Sequence, residues 1–281
     1  MAIRSRIYAD DIASAITKLA AALVTAGWLD DGAPTTTVLR SAVDSEGRAA
    51  YIKLRASSGG AGIACEMGNS RSGDVVSDPD GGASFVRSAK FFSDRYFDLL
   101  ANDQMFFLSF AGDKTSYGWL CAGLLVSPAT ALQHRHPVFI GGSRNDADAA
   151  QTQNFMRDAA NPYWSWDETL LAWDQVGAIM ILPRNASGAV GSTARVDWGI
   201  IGVPGVMCSV PCHRFWLSNE SEGIFIGYIK EAYLVYGIAY VTTDVGWTRC
   251  KIGGNTYVMP GFETEAAIGS IGAPQLMVKE D

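Results

Sequence analysis

The sequence predicts a mainly β fold, a β-sandwich or barrel-like domain with an N-terminal amphipathic helix and long loops, and α+β only at its margins. Strand-length runs rich in Val, Ile, Phe and Tyr recur between turn residues. Thirty glycines punctuate the 281 residues, and only one segment has a helical period. The length of 281 residues fits one large β-rich domain or two modest ones, and the 48% of hydrophobic residues suffice for a sizeable core.

The predicted helix covers residues 10–26. Asp10 or Asp11 can cap its start, and Gly27 is placed to end it. One apolar face is formed by Ile12, Ile16, Leu19 and Leu23. We expect residues 1–28 to form a helical arm on a β-rich structural domain that spans residues 29–281.

The first half of that domain contains several strand candidates. Residues 36–42 and 49–57 flank a turn, residues 57–74 hold a strand between loops, and residues 73–84 are loop-like. The strongest hairpin signal lies within residues 103–127, where two apolar, aromatic runs surround the turn "AGDKTS". Residues 137–143, "PVFIGGS", predict another strand that ends in glycines.

The second half begins with a long polar and then aromatic excursion at about residues 144–175, with a short helix near residues 146–158. Strands are expected at 177–185 and 194–203. The stretch at 222–242 has helix and strand as alternatives, and its Ile, Val, Tyr and Phe content favours strands. A final hairpin is expected at 247–261, around "GGN".

Charge and hydropathy exclude several classes of partner. The net charge is −7, so a general electrostatic grip on nucleic acid or anionic lipid is not expected. The most apolar N-terminal stretch is too short and amphipathic to span a bilayer, and Asp10 and Asp11 interrupt any signal-peptide pattern. Charged residues are only 18%, which points to surfaces buried in an assembly.

Cysteines and histidines offer the first candidate sites. The odd number of cysteines, at irregular spacing, predicts reduced, buried core thiols and a cytoplasmic origin; they are Cys65, Cys121, Cys208, Cys212 and Cys250. His134 and His136 would share one face of a strand, yet a zinc site needs three or four ligands. Their nearest companions by type lie in "CSVPCHRFW", whose C-x3-C spacing is unusual for zinc and contains Pro211. We therefore expect surface or interface histidines, with no metal and no cofactor.

Motifs for catalysis are missing from the sequence, and we expect no enzyme. Neither a phosphate-binding loop nor a G-x-S-x-G elbow occurs, so Gly141 and Gly142 indicate a turn. A carboxylate pair for glycoside hydrolysis, Asp167 and Glu168 in "YWSWDETLLAW", leaves a cell-wall hydrolase as an alternative. The favoured interpretation of that stretch is a packed aromatic loop in which both acids cap a short helix.

Three stretches together resemble virion structural proteins of tailed bacteriophages. Residues 98–125 resemble a segment in which an aromatic strand follows an Asn-containing turn and a second strand leads into a Tyr/Gly-rich exit. The matching positions are Asn102, Phe106, Phe107, Tyr117, Gly123 and Pro128. "HRHPVFIGGS" resembles the next element, a "YPYPLxxGGS" sequence, with matches at Pro137, Gly141, Gly142 and Ser143 while His134 and His136 replace aromatics. Near the C-terminus, "IGGNTYVMPGF" resembles "IGGxxYxxF", with Gly253 and Gly254 aligned and Tyr257 and Phe262 offset.

The resemblance implies a component of the virion, assembled in the host bacterial cytoplasm, that forms a symmetric ring with copies of itself. A tail or baseplate position beside tube, sheath or baseplate proteins is the favoured expectation, and a neck, tail-terminator or collar position is the runner-up. The helix and the excursion would then be interface arms, with Trp164, Trp166 and Trp173 as interface aromatics. In a carbohydrate-binding or receptor-binding module, the alternative of another class, these tryptophans would be exposed stacking platforms. The glycines Gly141, Gly142, Gly253 and Gly254, with Pro137, would form turns of the structural fold.

Overall fold

A computed structural model describes residues 2–32, 37–77, 85–91, 95–111, 117–126, 138–148, 164–167, 172–175, 181–183, 194–195, 212–219, 224–235, 242–244, 247–252, 254–259 and 275–280. Within these ranges the chain is mainly β with a single helix, so the predicted fold class is confirmed. That helix is too short and too polar to cross a membrane.

In the described residues before position 143, the chain forms twelve strands and the helix. They are β1 (Ile3–Ala9), α1 (Ile12–Thr25), β2 (Leu29–Asp30), β3 (Thr37–Arg40), β4 (Tyr51–Ala56), β5 (Gly62–Gly68), β6 (Ser70–Ser72), β7 (Val75–Ser77), β8 (Phe85–Lys90), β9 (Arg95–Ala101), β10 (Met105–Ala111), β11 (Tyr117–Val126) and β12 (Val138–Gly142).

Ten strands follow in the described part of the remaining chain. They are β13 (Trp164–Asp167), β14 (Ala172–Gln175), β15 (Ile181–Pro183), β16 (Ala194–Arg195), β17 (Cys212–Asn219), β18 (Ile224–Val235), β19 (Thr242–Asp244), β20 (Trp247–Ile252), β21 (Asn255–Met259) and β22 (Gln275–Glu280).

The largest sheet is antiparallel and follows the order β1-β9-β10-β11-β18-β22-β21-β20-β19, with β12 also paired to β11. It curls into a half-barrel. An isolated parallel bridge between Ala2 and Glu280 joins the start of β1 to the end of β22. The curl therefore brings the first and last strands of the described chain together.

A second, five-stranded sheet has the order β2-β3-β4-β5-β8, and α1 packs with both sheets in one core. Alternate residues of β9 to β12 enter this core, including Phe97, Leu99, Phe106 and Leu108. Their neighbours on the other face, among them Leu100 and Phe107, are buried as well. Burial of both faces explains why these strands are continuous apolar runs in the sequence rather than alternating ones.

The predicted position and N-terminal cap of helix α1 are confirmed. The Asp11 carboxylate accepts a hydrogen bond of 2.6 Å from the Ser14 backbone N–H, and Gly27 follows the helix at φ +105°. Leu19 and Leu23 are fully buried. The helix therefore lies in the core shared with the sheets, and residues 3–9 precede it as a strand that the sequence pattern did not predict.

Most predicted strands are observed, and several observed strands were not predicted, among them β8, β9, β13, β14 and β17. Residues 75–77, predicted as loop, form β7 of a small hairpin with β6, and β22 at residues 275–280 was not predicted. Asp167 ends β13 opposite Ala172, and residues 168–171, where the short helix was expected, lie outside the described residues. Residues 222–242 form a strand over 224–235, as favoured. The helix expected near 146–158 falls largely outside the described residues.

Strand β18 bends in its middle. Glu231 has φ +63°, a left-handed conformation that is uncommon for a residue with a Cβ. Before the bend, Tyr228 and Ile229 pair with β11; after it, residues 232–235 pair with β22. The bend therefore lets one strand leave β11 and continue beside β22.

Candidate functional site

The glycine pair singled out in the sequence lies at the end of β12. A Cβ on Gly142 would come within 2.9 Å of the Arg87 Cβ and 3.0 Å of the Ser88 carbonyl oxygen. The close approach of two strands therefore requires glycine at position 142. His134, His136 and Pro137 lie outside the described residues, so their predicted interface role stays a prediction.

Directly after the glycines, the chain crosses from one sheet to the other. Ser143 donates its backbone N–H to the Trp119 carbonyl at 2.9 Å, and its hydroxyl accepts a bond from the Trp119 N–H at 3.2 Å. Arg144 then exchanges both backbone hydrogen bonds with Ser88 of β8, at 2.9 and 3.0 Å. Residues 143 and 144 thereby tie the large sheet to the five-stranded sheet.

Asp146 completes this crossing through a bidentate ion pair. Arg55 Nη1 lies 2.8 Å from one Asp146 oxygen and Nη2 lies 3.0 Å from the other, while Arg55 Nε contacts Glu66. The Ser58 backbone N–H adds a bond of 3.1 Å to Asp146. We call Arg55, Glu66, Asp146 and Asp148 the clasp.

Asp148 is the second anchor of the clasp. Its Oδ2 accepts hydrogen bonds of 2.9 Å from both the Ser57 hydroxyl and the Ala61 backbone N–H. The residue has φ +61°, which aspartate tolerates better than most side chains. These bonds attach the 57–62 loop to the segment that leaves β12.

The electrostatics of the clasp favour its charged form. The hydrogen bond from Arg55 lowers the pKa of Asp146, with the Ser58 N–H adding to the effect and partial burial opposing it. The hydrogen bond to Asp146 likewise raises the pKa of Arg55. A carboxylate whose oxygens are engaged in this way is suited to holding two segments together and poorly suited to taking up a proton.

A second ion pair lies between β1 and β9. Arg6 donates from Nε and Nη2 to the two oxygens of Asp98 at 2.9 and 3.0 Å, and Asp98 is 1% exposed. The Arg6 guanidinium carbon lies 3.9 Å from the centre of the Tyr96 ring. This pair fixes the first strand of the chain on the sheet.

The Asn-containing turn between β9 and β10 joins several elements. Asn102 Oδ1 accepts bonds from the backbone N–H groups of Gln104 and Met105 at 2.8 and 2.9 Å, and its carbonyl accepts one from Trp28 Nε1 at 2.8 Å. A Cβ on Gly123 would strike the Gln104 carbonyl oxygen and lie 2.7 Å from the Met105 Cα. Asn102 therefore stabilises the turn through hydrogen bonds, and Gly123 allows two backbone segments to approach closely.

The two cysteines whose side chains the structure describes have the predicted state. Cys65 and Cys121 are free thiols and fully buried, which confirms the prediction for these two. Burial raises the pKa of both, so neither is a nucleophile at neutral pH. Among the residues that the structure describes, no three His, Cys, Asp or Glu side chains are grouped so that they could hold a metal ion.

The remaining predicted turn and interface positions are described only in part. Gly254 has φ +85° in the turn between β20 and β21, which agrees with its predicted turn role, whereas Gly253 is outside the described residues. Trp164 and Trp166 lie on β13, and Trp173 lies on β14. These two strands form a separate two-stranded sheet in which Trp166 is directly opposite Trp173.

Sequence reasoning missed the clasp. Arg55 and Asp146 are 91 residues apart, and no local motif links them. The one available signal was the "SRND" that follows the glycine pair, because polar residues after a buried strand commonly contact a neighbouring sheet.

Comparisons with known proteins add no assignment, since neither a family model nor a curated protein matches the chain.

Proposed function

We propose that the chain is a structural subunit of a tailed-bacteriophage virion, placed in a symmetric ring of the tail or baseplate. The observation that carries the proposal concerns the residues of the phage-like segments. Four of these residues are described together with their contacts: Asn102, Phe106, Gly123 and Gly142. All four are buried and contribute to the packing where strands meet. Residues that serve packing rather than a reaction are what a structural protein requires.

The surface composition also supports assembly. Charged residues are scarce at 18%, and large apolar side chains remain exposed at several places. Tyr8 is 62% and Val75 61% exposed, and the others are Ile3, Val24, Leu29 and Val43. Contact with further copies of this chain and with tube, sheath or baseplate proteins would bury such side chains.

A neck, tail-terminator or collar position is the second candidate within the same class. Both positions require a ring of identical copies, and a closed ring presents two different surfaces of each subunit to its neighbours. The location of the ring in the particle separates them. In either position the protein is a part of the virion after assembly in the bacterial cytoplasm.

Mass spectrometry of purified virions tests the proposal. Peptides of this chain should be recovered from particles that survive a density gradient, in a constant ratio to the major capsid protein. A chain that is absent from the particles, yet abundant in the infected-cell lysate, would overturn the proposal and favour the alternative of a hydrolase or a free binding module.

A further inference from the structure

Arg87 lies on the core-facing side of β8, although it is charged. It is directly opposite Cys65, whose side chain belongs to the buried core, and directly opposite residues share a face of the sheet. Two residues further along β8, Ala89 is fully buried on the same face. The Arg87 Nε is shielded from solvent and has no hydrogen-bond partner among the described residues. Such a position is rare for an arginine without an acidic partner.

One edge of the Arg87 guanidinium is left for a ligand. Its Nη1 donates a hydrogen bond of 2.9 Å to the Val86 carbonyl oxygen, which fixes the orientation of the group. The edge formed by Nε and Nη2 is the one with which Arg6 holds both oxygens of Asp98, at 2.9 and 3.0 Å. In the described part of the chain, no carboxylate contacts this edge of Arg87.

The acidic residues of the clasp do not supply the missing charge, because they lie on the other face of the five-stranded sheet. Glu66 is opposite Val86, and the Asp148 Oδ1 lies 3.4 Å from the Ser88 hydroxyl. Val86 and Ser88 flank Arg87 in the sequence, so their side chains point to the face opposite to that of Arg87.

The pKa values of the arginines shift in different directions for this reason. Hydrogen bonds to Asp98 and Asp146 raise the pKa of Arg6 and of Arg55. Burial instead lowers the pKa of Arg87. Because arginine stays protonated in proteins, a positive charge remains half-buried without a counter-charge among the described residues, which is unfavourable.

Close packing holds the stem of Arg87 in place. A Cβ on Gly142 would lie 2.9 Å from the Arg87 Cβ and 3.2 Å from the Leu120 Cδ1. The glycine therefore gives the Arg87 stem room beside β12. An arginine that is positioned in this way loses less side-chain freedom when it binds a ligand.

We propose that Arg87 anchors an oxyanion site, which holds a carboxylate or phosphate group on the Nε–Nη2 edge. Two parallel hydrogen bonds from the planar guanidinium suit the oxygens of either group, and the anion neutralises the charge. The group comes either from a free oxyanion or from a second copy of the chain, which has 29 Asp and Glu residues. This inference goes beyond the proposed function and does not rest on it.

Thermal melts of the full-length chain at pH 7 test the inference, with sodium phosphate compared with sodium chloride at the same ionic strength. Phosphate should raise the melting temperature of the wild type saturably, by at least about 2 °C more than that of Arg87→Met. Phosphate also stabilises proteins in general because it is excluded from their surfaces, and the comparison with the variant removes this contribution.

Two further variants serve as controls. Arg48→Met removes a guanidinium that Asp44 and Glu46 already engage at 2.7 and 3.0 Å, so phosphate should stabilise this variant as much as the wild type. Arg87→Lys keeps the charge and most of the stem, and it should fold. An ammonium cannot hold two oxygens in parallel, so its response to phosphate should be less than half that of the wild type.

Sedimentation velocity in chloride separates the two sources of the anion. A monomeric wild type that gains stability in phosphate assigns the site to a free oxyanion. A wild-type oligomer that dissociates on Arg87→Met and Arg87→Lys, but not on Arg48→Met, assigns the site to a carboxylate of a second copy.

Equal phosphate responses of the wild type and both Arg87 variants, together with equal sedimentation of all three, would overturn the inference. These measurements do not depend on whether the chain is part of a virion, so the two proposals fail separately.

Discussion

Arg55 and Asp146 form a bidentate ion pair, with Nη1–Oδ1 and Nη2–Oδ2 distances of 2.8 and 3.0 Å, across 91 residues of sequence. Their side chains are 27% and 32% exposed, so the pair is partly shielded from water. This pair attaches the segment after β12 to the C-terminal end of β4. It is one of several side-chain links between this segment and the five-stranded sheet, together with the Ser88 hydroxyl bond to the Asn145 carbonyl at 2.7 Å.

Removal of the charge from this pair should destabilise the fold. We expect Asp146→Asn to lower the free energy of unfolding by about 1–2 kcal/mol, since hydrogen bonds to a charged group are lost. Arg55→Lys should have a similar effect, because an ammonium cannot hold two carboxylates bidentately. Chemical denaturation measures both. The control is Asp31→Asn, whose more exposed carboxylate lies 3.3 Å from Arg71 and should contribute less than about 0.5 kcal/mol. Equal losses for Asp146 and Asp31 would contradict the role of the clasp.

Stability should fall in acid because two aspartates are more acidic in the folded protein. Asp146 has a lowered pKa through its bond from Arg55. Burial would raise the pKa of Asp44, but hydrogen bonds from the Arg48 backbone and guanidinium and from the Glu46 N–H outweigh burial and lower it. A lowered folded-state pKa adds stability above the unfolded value of about 3.9, and this stability is lost as the pH falls through the folded values.

Thermal melts from pH 7 to pH 2 would show this loss. In the double variant D44N/D146N the fall in melting temperature below about pH 4 should be smaller than in the wild type. An identical pH profile in the two proteins would show that these carboxylates do not carry the acid sensitivity.

Substitution of Glu231, the left-handed residue of β18, by glycine should stabilise the fold. Glu231 has φ +63°, and glycine adopts this conformation without the clash of a Cβ. We expect Glu231→Gly to raise the free energy of unfolding by about 0.5–1 kcal/mol. Ala232→Gly, at a buried neighbour outside the left-handed region, should lower it by at least about 1 kcal/mol. If both substitutions destabilise to the same extent, position 231 is not strained.

A methyl group at position 123 should be poorly tolerated. The nearest atoms to a Cβ there belong to the backbone of Gln104 and to Met105, which cannot rotate away. We expect Gly123→Ala to cost about 3 kcal/mol. Gly47→Ala is the control, because a Cβ added at position 47 would meet no other atom within 4 Å. Only its φ of +78° opposes the substitution, and this should cost about 1 kcal/mol. Urea titrations of the two variants separate close packing from backbone strain.

Elements whose formation depends on nearby residues were predicted from the sequence. The helix at 12–25 has one apolar face and an aspartate cap, and β10 and β11 are long apolar runs around a polar turn. In contrast, β1 contains Arg4, Ser5 and Arg6 and is a strand because it pairs with β9, about 90 residues further along the chain. Propensity within seven residues carries no information about such a partner.

The candidate site was predictable only in part. Gly142 was expected at a turn or strand end, and its neighbour Gly141 pairs with Cys121 in the adjacent strand. The ion pairs could not be assigned, because 22 basic and 29 acidic residues allow very many combinations. The pairing of Arg55 with Asp146 depends on how two sheets meet, which is a property of the tertiary fold.

Cryo-electron microscopy of the assembled virion, with this chain traced in the map, tests the proposed function most directly. The proposal predicts a closed ring of copies at the tail end, with the exposed apolar side chains at subunit contacts. A ring at the neck would instead select the second candidate position. A complete map of the particle in which no density fits this chain would contradict the assignment to the virion.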